Sequence, residues 1–112
     1  MSDIGLYSSW YERVRKMAHL IDAVLLELRT SRTSGQSAVM LSRMLTRQEA
    51  SASLSRQVLS MVLRERQHVL DLDSLGNQLS NPNTAGAAIH ELEQIAEILE
   101  RERASTVEQM RK

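Results

Sequence analysis

Residues 7–28, YSSWYERVRKMAHLIDAVLLEL, carry apolar side chains at Tyr7, Trp10, Val14, Met17, Ile21, Val24 and Leu28. Steps of three and four are the spacing at which side chains fall on one line of an α-helix. Ile4, Tyr11, Ala18 and Leu25 add a second row at intervals of seven, while Glu12, Arg15, His19 and Asp22 point away from the centre of the stripe. A stripe this broad needs cover from neighbouring helices. The spacing predicts a first helix over residues 4–29.

The remainder extends the same pattern. Phenylalanine is absent, proline occurs once, and Tyr7, Trp10 and Tyr11 are the only aromatics. A core of Leu, Met, Val, Ile and Ala without strand-like alternation suits helix packing, so the chain is expected to be all-α. TSRTSGQS, residues 30–37, supplies a turn, with Gly35 as helix stop and Ser37 as N-cap. A long second helix is expected over residues 38–75, ending at Gly76. Its apolar blocks, residues 38–45 and VLSMVL at 58–63, flank TRQEASASLSRQ, whose apolar residues are few and mostly small. VLSMVL is apolar at five of six positions, more than one helical face holds, and demands cover from two sides. Asn81-Pro82 reads as N-cap and first position of a third helix over residues 82–110, with Ile89, Leu92, Ile95, Ala96 and Leu99 on its stripe. Beyond Leu99 only Val107 and Met110 continue that stripe, so the last turns are expected to fray or await a partner. The expected architecture is a single helical domain over residues 1–112, an elongated three-helix antiparallel bundle or coiled-coil hairpin.

Composition narrows the function classes. The chain has 112 residues, with 14 basic and 14 acidic side chains, so it has no global field to attract nucleic acid or an anionic membrane. The absence of cysteine excludes disulfide and thiol chemistry and makes a reducing, cytoplasmic location the expectation. No apolar stretch resembles a signal peptide or approaches the ~20 residues of a membrane span. The chain is therefore expected to be soluble.

In a three-helix arrangement of these lengths, the third helix stops short of the first hairpin turn and leaves a two-helix tip. Around it lie Leu25, Leu26, Val39, Met40, Leu41, Met44 and Leu45, interleaved with Arg29, Arg32, Arg43 and Arg47, and no acid falls between Glu27 and Glu49. Met and Arg are enriched where proteins meet, because Met adapts its shape and Arg forks onto carboxylates. The expected partner surface is therefore Arg29, Arg32, Val39, Met40, Leu41, Arg43, Met44, Leu45 and Arg47, its occupant another protein or a second copy of the chain. The alternative is ordinary helix-pair core rimmed by solvated charge. Four arginines without nearby aromatic rings make a weak footprint for nucleic acid.

Charge is also segregated. Residues 1–48 carry seven basic and four acidic side chains, and residues 49–112 carry seven and ten. Such asymmetry can orient two copies head to tail, or can mean only that the third helix has a solvated acidic face. The aromatic trio can close the end of the bundle or anchor a partner.

Catalytic constellations are sparse, and no cofactor is implied. His19 and His90 fall on outward positions. Glu65-Arg-Gln-His68 has the Glu-x-x-His spacing of carboxylate-bridged metal bundles but lacks the further glutamates and second motif such a site needs. HELEQ at His90 lacks the second histidine of a zinc protease motif, and no Gly-rich phosphate loop is present. Arg15, Ile21-Asp22, Leu25-Leu26 and Arg32 together resemble the first helix of the helical chorismate mutases. The resemblance implies an intertwined three-helix dimer in which Arg15 and Arg32 clamp the substrate carboxylates and Arg43 assists the ether oxygen. It covers residues 15–32, and TSGQS stands where the family's first helix continues.

Overall fold

Every regular element among the described residues is helical. The computed structural model describes residues 2–30, 36–46, 53–81 and 83–111, without the side chains of 2–4, 6, 7 and 53–55. The elements are α1 (Ser2–Thr30), α2 (Gln36–Leu45), α3 (Ser53–Glu65), α4 (Leu72–Ser80), a 3-10 turn (Ala85–Ala88) and α5 (Ile89–Arg111).

The stripe on α1 is the wall of the core. Val14, Ile21 and Val24 have no solvent exposure, and Met17, Ala18 and Leu25 are buried beside them. Helix α5 lies antiparallel along α1, as two side-chain contacts show: Trp10 reaches Glu102 near one end, and Arg29 reaches Glu93 near the other. Leu92, Ile95 and Leu99 of α5 are fully buried in this seam. The helix is regular to Arg111, with Thr106 buried and Val107 and Met110 half-buried. The expected fraying after Leu99 is not found, because α1 lies alongside to cover those turns.

The single second helix expected over residues 38–75 is replaced by α2, α3 and α4. Helix α3 ends in a Schellman motif: Gln67 takes the left-handed conformation (φ 57°), its N–H bonds the carbonyl of Arg64 at 3.0 Å, and the His68 N–H bonds that of Leu63 at 2.9 Å. An extended stretch follows. Asp71 then caps α4, its carboxylate accepting from the amides of Asp73 at 3.0 Å and Ser74 at 3.2 Å. A continuous helix over residues 38–75 would be about 57 Å long, whereas the whole molecule measures 48 × 27 × 26 Å. Breaking the rod lets α4 fold back onto α2 and bury Leu72, Leu75 and Leu79. Gly76 is not a helix stop; it lies inside α4, where a missing Cβ permits close approach to α2. There the Ser42 hydroxyl donates to the Gly76 carbonyl at 2.6 Å.

Two further starts differ from expectation. Helix α2 is capped by Glu27 of α1, whose two carboxylate oxygens accept from the amides of Ser37 at 2.9 Å and Ala38 at 3.0 Å, so Ser37 is a capped residue and not the cap. Gly35 lies outside the described residues. Pro82, the expected first position of the third helix, also lies outside them. Asn81 closes α4 and begins a turn, accepting from the amides of Asn83, Thr84 and Ala85, and the long helix starts at Ile89.

The radius of gyration is 14.3 Å, against about 13 Å for a compact domain of this length. The molecule is thus only modestly elongated, and among the described residues five α-helices around one core stand in place of the expected three-helix rod. Among the described residues no helix is long and apolar enough to cross a membrane.

Candidate functional site

The junction of α1 and α2 is held by the Glu27 cap, and around it the expected partner surface divides in two. Leu41 and Leu45 have no exposure at all and belong to the molecule's own core, and Met44 is partly buried against it. Those three positions follow the inward face of α2, which α4 covers; the sequence reading assigned α2 only one neighbour. The outward face remains open. Val39 is 43% and Met40 53% exposed on α2, and Leu26 is 60% exposed on α1.

Of the arginines, Arg29 is exposed and pairs with Glu93 of α5 at 3.3 Å. Helix α5 therefore reaches the tip, which is not a bare pair of helices. Arg43 lies on the exposed side of α2 and has an interaction of its own. Arg32 and Arg47 lie outside the described residues. The exposed residues described on either side of the junction are Leu26 and Arg29 on α1 and Val39, Met40 and Arg43 on α2.

Of the glutamates on α5, Glu93 reaches Arg29 of α1, whereas Glu97 and Glu100 pair with Arg101 and Arg103 of α5 itself. Arg103 bonds Glu100 through Nε at 3.0 Å and Nη2 at 2.5 Å, and a longer contact of 3.5 Å joins it to the Tyr11 hydroxyl. These donors hold the Glu100 carboxyl below its ordinary value. Glu102 accepts from Trp10 Nε1 at 2.9 Å and from Arg66 at 3.2 Å, tying α1, α5 and the end of α3 together. Trp10 is thus partly buried against the core with its one polar atom satisfied. Tyr7's side chain lies outside the described set.

The Glu65–His68 spacing does not form a helical pair, because the left-handed Gln67 intervenes. His68 turns to Glu91 of α5 at 2.5 Å, while Glu65 is exposed. Among the described residues no three His, Cys, Asp or Glu side chains gather as a metal would need. His19 and His90 are exposed, and His90 contacts Gln94 one turn along.

Two surface cavities lie near the His68–Glu91 contact. One, of about 270 Å³, is bounded by Leu63, Arg64, Gln67, Val69 and Leu70; the other, of about 230 Å³, by Leu70, Ser74, Gln78 and His90. Neither is lined by Arg15 or Arg43. Arg15 pairs with Glu12 at 3.1 Å on the half-exposed side of α1. Arg32, the third arginine that a mutase-like pocket would use, lies outside the described residues.

The sequence reading missed the Glu27 cap, the Arg56 bridge and the cavity beside Val69. Arg56 of α3 donates both to the Leu45 carbonyl at the end of α2 and to Asp73 at 3.0 Å at the start of α4, an arrangement visible only once the long helix is broken. Asp71-x-x-Ser74 was a legible capping signal. No protein family, curated protein or solved structure matches the chain.

Proposed function

We propose that this chain is a non-catalytic protein-interaction module, an adaptor, complex assembly subunit or small chaperone, that binds a protein partner through the α1–α2 junction. One observation supports it most: Val39 and Met40 stand adjacent and half-exposed on a helix whose other face is fully used by the core. Adjacent exposed apolar residues on a short helix have no role in packing the fold. Burying them, with Leu26, against a partner would stabilise a complex by about 1.5–3 kcal/mol for each fully covered side chain. Residues 28–48 contain four arginines and no acid, so the partner best suited is an apolar helix flanked by carboxylates, with which guanidinium groups form forked bonds. A cytoplasmic partner accords with the cysteine-free sequence.

A photo-crosslinking residue placed at Met40 in the native host, compared with one at exposed Gln109 at the far end of α5, tests the assignment. A discrete adduct from position 40 that is missing from position 109 is the expected outcome. Identical adducts from both positions, or none from position 40, would contradict it.

A further inference from the structure

We infer that Glu27 is the positioning residue of the α1–α2 junction: its carboxylate fixes where α2 starts and how it is turned, and so where Val39 and Met40 stand relative to α1. This rests on the reading of that junction as the recognition surface and names the side chain that shapes it. Helix α2 has ten residues, below the roughly 12–15 at which an isolated helix becomes stable in water, so its placement is set by what grips it. Its later turns are gripped from α4 and α3, by the Ser42 hydroxyl on the Gly76 carbonyl at 2.6 Å and by Arg56 on the Leu45 carbonyl. Its first turn is gripped from α1, where the two oxygens of Glu27 accept from the consecutive amides of Ser37 and Ala38. Two bonds to adjacent amides fix rotation as well as distance, whereas one would leave a pivot.

A helix start is ordinarily capped from within its own segment, by a Ser, Thr, Asp or Asn that precedes it or by an acid in its first turn. Helix α2 has no acid in its first turn. Its acceptor comes from another helix, ten and eleven positions back in the chain, so this cap forms only when α1 and α2 are docked in this register. Val39 and Met40 follow directly on the two held amides, and Leu26 directly precedes Glu27. At about 100° per residue along a helix, fixing the frame at 37 and 38 fixes the directions of 39 and 40.

Nitroxide distance measurement on the full chain tests the role, with labels at Asp22→Cys on α1 and Met40→Cys on α2; the chain has no other cysteine to react. A narrow distribution is expected with Glu27 in place, and a broad or displaced one in Glu27→Ala. Adding Ser37→Asp gives α2 an acid in its own first turn, which favours the helix without a tie to α1. Circular dichroism should then return to the unmodified level while the distances stay broad. Glu27→Gln, which keeps one acceptor oxygen, should fall between. Crosslinking from a photo-reactive residue at Met40 should drop about five-fold in Glu27→Ala, the weight of a lost helix cap, and stay low when Ser37→Asp is added. Distances in Glu27→Ala as narrow as in the unmodified chain, crosslinking undiminished in that variant, or a return of both with Ser37→Asp would overturn the inference. The two readings fail separately: no adduct from position 40 with Glu27 in place overturns the recognition surface, whereas the distances decide by themselves whether Glu27 places α2.

Discussion

Two single residues decide how the chain turns, and each yields a test. Gln67 is the one described non-glycine residue with positive φ, and it ends α3 at the position where glycine is usual. Gln67→Gly removes the steric cost of a side chain in the left-handed region and should raise stability by about 1 kcal/mol, read as a higher melting temperature. Gly76 behaves in the opposite sense. A Cβ there would lie 2.7 Å from Thr46 Cγ2 and 3.1 Å from both Leu45 Cβ and the Ser42 carbonyl oxygen. Thr46 cannot swing aside freely, since its hydroxyl bonds that same carbonyl at 2.9 Å. Gly76→Ala gains about 1 kcal/mol of helix propensity and loses about 1–3 kcal/mol to overpacking, so the variant should unfold at lower denaturant. Adding Thr46→Ser removes the 2.7 Å clash and should recover part of the loss. Gly76 was legible as a special position, but sequence alone offered helix termination as its purpose. Its real role, close approach of α2, depends on a contact between segments far apart in the chain.

Among the elements, α1 was legible almost residue by residue because a regular apolar stripe spans it and one long neighbour covers it. The segment from 38 to 75 was not. Residues 47–52, between α2 and α3, lie outside the described residues, and the described break between α3 and α4 carries no glycine or proline: Gln67 takes the left-handed turn unaided, and Asp71 starts α4 as a cap. Periodicity registers which residues are buried and is blind to where the axis changes direction. The α1–α5 seam rests on Glu102, whose side chain is only 13% exposed. Glu102→Ala would strand the Trp10 N–H and the Arg66 guanidinium, costing about 1–3 kcal/mol, while Glu102→Gln keeps an acceptor and should cost less. Fluorescence of the single tryptophan during denaturant unfolding reads both. On the outer side of α5, Arg103 lowers the folded-state pKa of Glu100. The stability from this contact is therefore present above the ordinary carboxylate range and lost as pH falls through the depressed value. The pair is solvent-exposed, so the effect on stability is small. In a proton titration followed by NMR, Arg103→Ala should return Glu100 to the ordinary glutamate value.

At the scale of the whole molecule, the sequence carried the fold class and the polarity of the chain but not its compactness. Segregated charge left two readings, two copies packed head to tail or a solvated acidic face on the third helix; across the α1–α5 seam Arg29 meets Glu93 at the tip, while Glu97 and Glu100 pair within α5. Apolar crowding around the first turn was correctly placed in sequence, yet only three dimensions could divide it into core, Leu41 and Leu45, and surface, Leu26, Val39 and Met40. That division gives the central claim its sharpest test, because a charge on the outward face should spare the fold. Val39→Glu combined with Met40→Glu should change stability by no more than about 0.5 kcal/mol per site, as exposed substitutions do. If those side chains are covered in the complex, each unpaired carboxylate brought into an apolar contact should weaken binding by about 2 kcal/mol or more. The decisive measurement is titration calorimetry of the double variant with the partner captured at Met40, alongside its thermal unfolding. Lost binding with an unchanged melting transition is the predicted result, and binding equal to that of the unmodified protein would contradict the assignment of the α1–α2 junction as the recognition surface.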